Sequence, residues 1–420
     1  MRLFERLLGR TPAGRRPSSA SQSRRSSRPV GIVGTFDVEN YGDLLFPLIA
    51  RAMLERRLGP VDMVAFSPNA RSAAAWPYDV RTVLDLPEVL PSLSALLIGG
   101  GQIIRFDRGY NVPTDPRVRT PIDYWLTPAL LGTLAGKPVI WNAIGAWTGS
   151  PPAPWYHDTL RAVFSASHLV GLRDEASREH LAAIAPQAHL SLVPDTAFSL
   201  ARLWPLAEES VGFVAWRQSL GIHGPYVVVQ ADTRIGPSRP AIDALVAGLG
   251  VETAVLLPVC RCHGDSSDGL PPLPCRHTAR SDWPAPVLLG EIIGRSTAVV
   301  ASSLHACITA IAYGVPVVRV PSFNVADRKF ALLDGFAGVA DIDRAAAVAA
   351  VLGRGRGRGP EPRAVEHAAR LERYWDEVAA RVLAPQQPES AGCGATMLRW
   401  AADMLPALEA AGQKRNGSGP

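Results

Sequence analysis

Short apolar runs recur along the chain, each closing on glycine or polar residues. Residues 30–33, 95–98, 139–142, 169–172 and 190–193 form a first series, and 226–230, 253–258, 297–302 and 317–320 a second. Unbroken apolar runs of this length suit strands buried on both faces of a parallel sheet. Helix-spaced segments lie between them, and strand–helix alternation predicts an α/β fold built from two such units. The expected boundaries are 29–205 for the first domain and 206–352 for the second, with a helix inside the 201–224 connection. A basic linker and a returning helix follow at 353–383, then a tail, 384–420, with a short amphipathic helix at 397–411. Residues 1–28, rich in Arg, Ser and Pro, predict a disordered basic arm.

The stretch 297–320 organises the second unit. A strand ends at Ser302 or Ser303, either of which can cap a helix carrying Leu304, Ile308, Ile311 and Ala312 at helical spacing. Gly314 suits the C-terminal cap and Pro316 stops the helix. His305 therefore sits in the first turn of a helix at the carboxyl end of a parallel strand, where open α/β sheets bind ligands. Free N–H groups there attract phosphate or carboxylate, and an imidazole there can serve as a base. A buried histidine bonded to a carbonyl is the bland alternative.

The other strands deliver comparable residues to the same edge. The first leads through Gly34 to Asn40, Gly42 and Asp43 at a helix start, where capping needs only one polar group. The second ends in Gly99, Gly100 and Gly101, which allow close backbone approach. Asn142 and Gly145, Arg173 and Asp174, and Asp195 close the next three. Capping explains any one of them; five together favour a site.

Composition narrows the function. Apolar residues make up 47% of the 420 positions, and no run is long enough to span a membrane. The net charge of +5 is concentrated in the arm: residues 1–28 hold eight Arg and one Glu, leaving the body at −2. A near-neutral body argues against nucleic-acid binding, while the arm could touch anionic lipid or simply be solvated. Five cysteines, an odd number in a long chain, predict a reducing cytoplasm. In the loop 260–277, Cys260, Cys262, His263, Cys275 and His277 could supply zinc ligands, but without the usual paired spacing. A substrate-facing loop with His263 and Asp265 as its polar residues is the favoured alternative.

Taken together, Asn40-Tyr41-Gly42-Asp43, Ile98-Gly99-Gly100-Gly101, Asn142-Ala143-Ile144-Gly145, Arg173-Asp174 with Ser177, Val193-Pro194-Asp195 and Ser303-Leu304-His305-Ala306 with Gly314-Val315-Pro316 resemble the polysaccharide pyruvyl transferase family over residues 30–335. The resemblance implies two Rossmann-like domains facing a cleft, as in GT-B glycosyltransferases. It implies transfer of pyruvate from phosphoenolpyruvate onto two hydroxyls of a cell-envelope or exopolysaccharide sugar, forming a cyclic ketal, with no metal or other cofactor. His305 and Asp43 are then the catalytic candidates. Arg173, Ser303, Lys329 and Arg295 would face the donor, and Asn40, Gly99, Gly100, Gly101, Asn142 and Asp195 the acceptor. Many members carry Arg two positions before the histidine, where this chain has Ser303. The acceptor could be a free, lipid-linked or nucleotide-linked sugar, and the expected place is the cytoplasm, with the arm reaching the inner membrane face. A GT-B glycosyltransferase using a nucleotide-sugar and a non-catalytic glycan-binding relative are the competing classes.

Overall fold

The computed structural model describes residues 28–74, 76–106, 112–149, 152, 156–321, 328–353 and 361–384. The basic arm up to residue 27 and the helix expected at 397–411 lie outside them. The first domain contains β1 (Arg28–Val33), β2 (Val61–Ser67), β3 (Val80–Thr82), β4 (Ala95–Ile98), β5 (Val139–Ile144), β6 (Leu169–Leu172) and β7 (Leu190–Leu192). They form one sheet in the order β3-β2-β1-β4-β5-β6-β7, every pair parallel. The second contains β8 (Tyr226–Gln230), β9 (Thr253–Leu257), β10 (His277–Arg280), β11 (Val299–Ala301), β12 (Val317–Arg319) and β13 (Val339–Asp341), ordered β10-β9-β8-β11-β12-β13 and again parallel. Each sheet reverses its direction of growth once, between β1 and β4 and between β8 and β11. Those reversals open a crevice at the carboxyl ends of the strands.

Helices cover both sheets: α1 (Tyr41–Leu58), α2 (Leu86–Val89), α3 (Leu126–Leu134), α4 (His157–Ala166), α5 (Glu175–Ile184) and α6 (Leu200–Leu203) in the first part of the chain. Then come α7 (Val211–Ser219), α8 (Arg239–Leu249), α9 (Pro286–Arg295), α10 (Leu304–Ala312) and α11 (Ala345–Gly353), and finally α12 (Pro362–Leu383). No helix among the described residues is long and apolar enough to cross a membrane.

The central strands β4, β5, β6, β8, β9 and β11 are buried throughout, which is why unbroken apolar runs mark them. The strands that pattern alone did not predict, β2, β3, β10 and β13, lie toward the sheet edges and mix buried with exposed positions. In β5 the register with β6 shifts between Trp141 and Ile144, and Ala143 takes a φ of 51°. A non-glycine residue rarely adopts that conformation, and the bulge redirects the end of the strand.

The domains meet along α1 and α10. Tyr41 and Thr309 share a buried hydroxyl–hydroxyl hydrogen bond of 2.8 Å. The Tyr41 N–H donates to the Val259 carbonyl at 3.0 Å, and the Cys262 N–H to Glu39 at 3.3 Å. Helix α12 then returns to the first domain. It buries Leu371, Tyr374, Trp375, Val378 and Val382, a helical stripe. At about 1.5–3 kcal/mol per large apolar side chain, that stripe outweighs the ion pairs of Arg57 with Glu372 and Asp376, because exposed pairs contribute about 0–1 kcal/mol each.

Candidate active site

The two crevices face each other, and His305 crosses between them. Ser303 is extended (φ −87°, ψ 125°) and caps α10 by accepting the Ala306 N–H at 3.4 Å. That cap places His305 one residue into the helix, aimed at the first domain. Its ring lies directly over Gly42 at the start of α1: a Cβ there would sit 1.9 Å from Nδ1. Phe46, one helical turn on, meets the ring edge-on with centroids 5.3 Å apart. On the other side, Nε2 is 3.3 Å from Asp195 Oδ2, although not in hydrogen-bonding alignment. The His305 side chain is 12% exposed and that of Asp195 fully buried.

Asp195 is held from behind. Its carboxylate accepts the Ala197 N–H at 3.0 Å and lies 3.4 Å from Arg173 Nη1. Burial pushes this carboxyl up, but His305, Arg173 and the Ala197 N–H outweigh it and hold the group below its usual range. Arg173 is itself 1% exposed and lies beneath Gly145, where a Cβ would meet Nε at 2.7 Å. The next residues brace that arrangement: Asp174 accepts the Ser177 N–H, and Ser177 Oγ accepts the Ala146 N–H at 2.8 Å. Arg173 is thus buried against Asp195, in different surroundings from the open donor-facing position expected from sequence.

Asp43 lies in the first turn of α1, partly open, with the Cβ position of Gly101 3.1 Å from its Oδ1. Burial pushes its carboxyl up to about 6 against the pull of His305. It belongs to the first domain's crevice while His305 belongs to the second's, so an acid and an imidazole from different domains converge.

Several other candidates have different surroundings from those expected. Asn142 is fully buried, accepting the Tyr374 hydroxyl at 3.1 Å, and is not on a cleft wall. Asp195 underlies His305 and is closed to an acceptor. Gly99 and Gly100 make room for Ile144 and Phe46 inside the protein; their φ values of 80° and 118° explain why glycine is present. Asn40 caps α1 by accepting the Gly42 N–H at 3.3 Å. Arg295 ends α9, at the far end of β11 from His305, paired with Glu291 at 2.7 Å, bonded to the Glu208 carbonyl and stacked over Phe213. The Lys329 side chain lies outside the described residues. Asp265 does not face substrate: it is buried, accepting the Val259 and Cys260 N–H groups and the Gln230 amide, each at 2.9 Å.

Gln230 was not singled out from sequence, yet its Oε1 accepts the N–H groups of Ser302 and Ser303 at 2.9 and 2.8 Å. It fixes the turn that launches α10. A polar residue closing the run Val227-Val228-Val229 was the available signal.

The chain was compared with known proteins. No curated protein sequence matches it. A UDP-N-acetylglucosamine 2-epimerase structure is similar at 11% identity and TM-score 0.50, covering 87% of this chain and 98% of that one. The Methanocaldococcus jannaschii UDP-GlcNAc 2-epimerase is similar at 10% identity and TM-score 0.49, covering 83% and 99%. Anabaena HepE in complex with UDP-glucose is similar at 11% identity and TM-score 0.42, covering 90% and 99%. At these identities the likeness concerns the GT-B-like fold of two parallel-sheet domains. The sequence model described as polysaccharide pyruvyl transferase matches residues 40–322, a span running from the cap of α1 past β12 and enclosing both Asp43 and His305. The chain therefore belongs to the polysaccharide pyruvyl transferase family, a family of transferases.

Proposed function

We propose that the protein transfers pyruvate from phosphoenolpyruvate onto two hydroxyls of a sugar acceptor, forming a cyclic ketal. The observation that carries this reading is the placement of His305 from one domain against Gly42, Asp43 and Asp195 of the other, within the span shared with the family. Protonation of the donor's methylene carbon by His305 creates a methyl group and an electrophilic neighbouring carbon. The first sugar hydroxyl bonds to that carbon and gives its proton back to His305. The carbon–oxygen bond to phosphate then breaks, the phosphate leaving with the bonding pair. The second hydroxyl closes the ring, and its proton leaves with the phosphate. Asp43, poised near neutrality by burial, orients these hydroxyls and accepts a proton in passing. Asp195 keeps the His305 ring in place, and Arg173 keeps Asp195. The N-terminal turn of α10 faces the donor's phosphate and carboxylate, and Lys329 remains the sequence's candidate for a further cation there.

The test is calorimetric titration of the purified protein with phosphoenolpyruvate, alone and with acceptor glycans. Saturable binding, with release of phosphate and an acid-labile pyruvate ketal on the acceptor, is the expected result. Binding of a nucleoside diphosphate-sugar with none of phosphoenolpyruvate under either condition would overturn the reading.

A further inference from the structure

The loop after β9 carries a second cluster that this chemistry does not use. Cys260, Cys262 and His263 present two sulfurs and a ring nitrogen, all within 4.8 Å of one another. Among the described residues this is the group of that kind with two thiols, and both cysteines are free. Cys275 and His277, which sequence left as further ligand candidates, are engaged elsewhere: Cys275 Sγ with the His277 carbonyl at 3.3 Å, and His277 Nε2 with the Leu220 carbonyl at 2.9 Å.

The backbone holding the cluster is already set. The His263 and Asp265 N–H groups both bond the Cys260 carbonyl, at 3.0 and 3.2 Å, and Gly264 ends the turn with φ 94°. Asp265 accepts the Cys260 N–H from below. Across the domain boundary, Cys262 donates its N–H to Glu39, and Cys260 forms a backbone bridge with Asn40. A ligand binding here therefore finds its turn ordered in advance, which lowers the entropic cost of coordination.

Distances separate the two things a close thiol pair can do. The sulfurs are 3.3 Å apart. A disulfide requires about 2.05 Å, a closure of more than 1 Å within a three-residue turn. Two sulfurs on a tetrahedral zinc, each about 2.3 Å from the metal, stand about 3.8 Å apart, an opening of only about half an ångström. Two sulfurs and an imidazole are also a donor set for a thiophilic or borderline divalent cation and a poor one for magnesium or calcium.

We propose that Cys260, Cys262 and His263 form a binding site for one thiophilic divalent cation of the zinc class, seated at the junction between the domains. No step of the proposed pyruvyl transfer is routed through this site, although Cys262 and His263 lie close enough to Asp43 to act on its charge. Binding replaces the thiol protons of Cys260 and Cys262, which go to solvent, because both sulfurs bind the cation as thiolates. Because the same turn bonds Glu39 and Asn40, the bound cation braces the inter-domain backbone contact that precedes α1.

The experiment uses the full chain, reduced, chelator-treated and titrated anaerobically with cobalt(II). The expected result is a sulfur-to-cobalt charge-transfer band saturating at a single equivalent, with visible bands of tetrahedral intensity, both abolished by one equivalent of zinc. His263→Ala, at an exposed position that leaves the core intact, should weaken cobalt binding by at least about tenfold, since losing even an outer partner of a metal ligand costs that much. Cys262→Ser should abolish the band, and Cys275→Ser should leave it unchanged. The proposal is overturned if no such band appears at one equivalent, if the band survives in the Cys260→Ser/Cys262→Ser protein, or if Cys275→Ser removes it. Formation of a Cys260–Cys262 disulfide while zinc is present would equally overturn it.

Discussion

The two domains repeat one topology but furnish their crevices in opposite ways. In the first domain, the loops after β1 and β4 carry closely packed glycines, and Asp43 in the first turn of α1 is a partly open carboxyl beside them. In the second, the loops after β8 and β11 are tied by polar side chains: Gln230 holds Ser302 and Ser303, Ser302 Oγ donates to Asp232 at 2.7 Å, and Asp265 holds Gln230. One crevice makes room, and the other provides a rigid mount. The contrast explains why His305 projects out of its own domain into its neighbour's. A side chain on a braced turn can be aimed across a boundary, provided the receiving surface lacks a Cβ where the ring must lie.

Breaking the projecting group should have the largest effect. His305→Ala should reduce turnover by about 10²–10⁴, the usual contribution of a general acid–base group, while the melting transition stays near that of the parent. Near-normal turnover would remove His305 from the chemistry. Next comes the mount. Gln230→Ala strands the part-buried N–H groups of Ser302 and Ser303, at about 1–3 kcal/mol for each unsatisfied group, so a loss near 3 kcal/mol in urea unfolding is expected. A loss under about 0.5 kcal/mol would show that the turn holds itself, since that is the scale of neutral surface changes.

The receiving side gives smaller shifts with clear signs. An acid whose pKa is raised on folding is costly to ionise, so Asp43 lowers stability as pH rises from about 4 to about 6. Asp43→Asn should match the parent at pH 4 and exceed it above pH 6, with a ceiling of about 3 kcal/mol at 1.36 kcal/mol per unit. Equal pH dependence of the two urea midpoints would refute the burial argument. Gly42→Ala adds the Cβ that His305 excludes. Helix propensity alone favours alanine by about 1 kcal/mol, whereas overpacking costs about 1–3 kcal/mol. Net destabilisation with reduced turnover is expected, and a more stable, fully active variant would mean that the ring does not rest there. Smallest of all, Arg295→Met should leave turnover within about twofold, because its guanidinium serves Glu291 and Phe213 far from His305; activity effects that small lie within a few tenths of a kcal/mol.

The central strands were legible because burial on both faces writes itself as unbroken apolar runs, and the strand–helix–strand order of 297–320 was legible to within one or two residues: β11 is shorter than expected, Ser303 and not Ser302 caps α10, and Gly314 with its positive φ follows the C-cap Tyr313. Strands β2, β3, β10 and β13 were not, since edge positions mix exposed and buried residues and lose that signature. For the site, sequence identified the residues better than their depth. Arg173, Asn142 and Asp195 close strands as expected, but whether a side chain faces a cleft or lies one layer below it depends on neighbours distant in sequence. Gly145 over Arg173 and Tyr374 over Asn142 are such neighbours. Arg295 ends α9 and precedes β11, so it emerges at the edge of the sheet opposite His305, which the linear sequence does not display.

The path of α12 has a consequence for when the protein can work. Helix α1 is assembled from the chain's first described stretch, yet its outer face is covered by a helix ending at Leu383. Tyr41 and Thr309, which join the domains, are 268 positions apart. During synthesis the first sheet is complete long before either partner leaves the ribosome, and its α1 surface waits uncovered in the meantime. His305 cannot meet Asp195 until the chain has emerged past residue 305. A nascent chain thus lacks the assembled His305–Asp195 pair, and premature termination before residue 362 yields a protein that lacks α12 and leaves the apolar face of α1 open to chaperones and proteases.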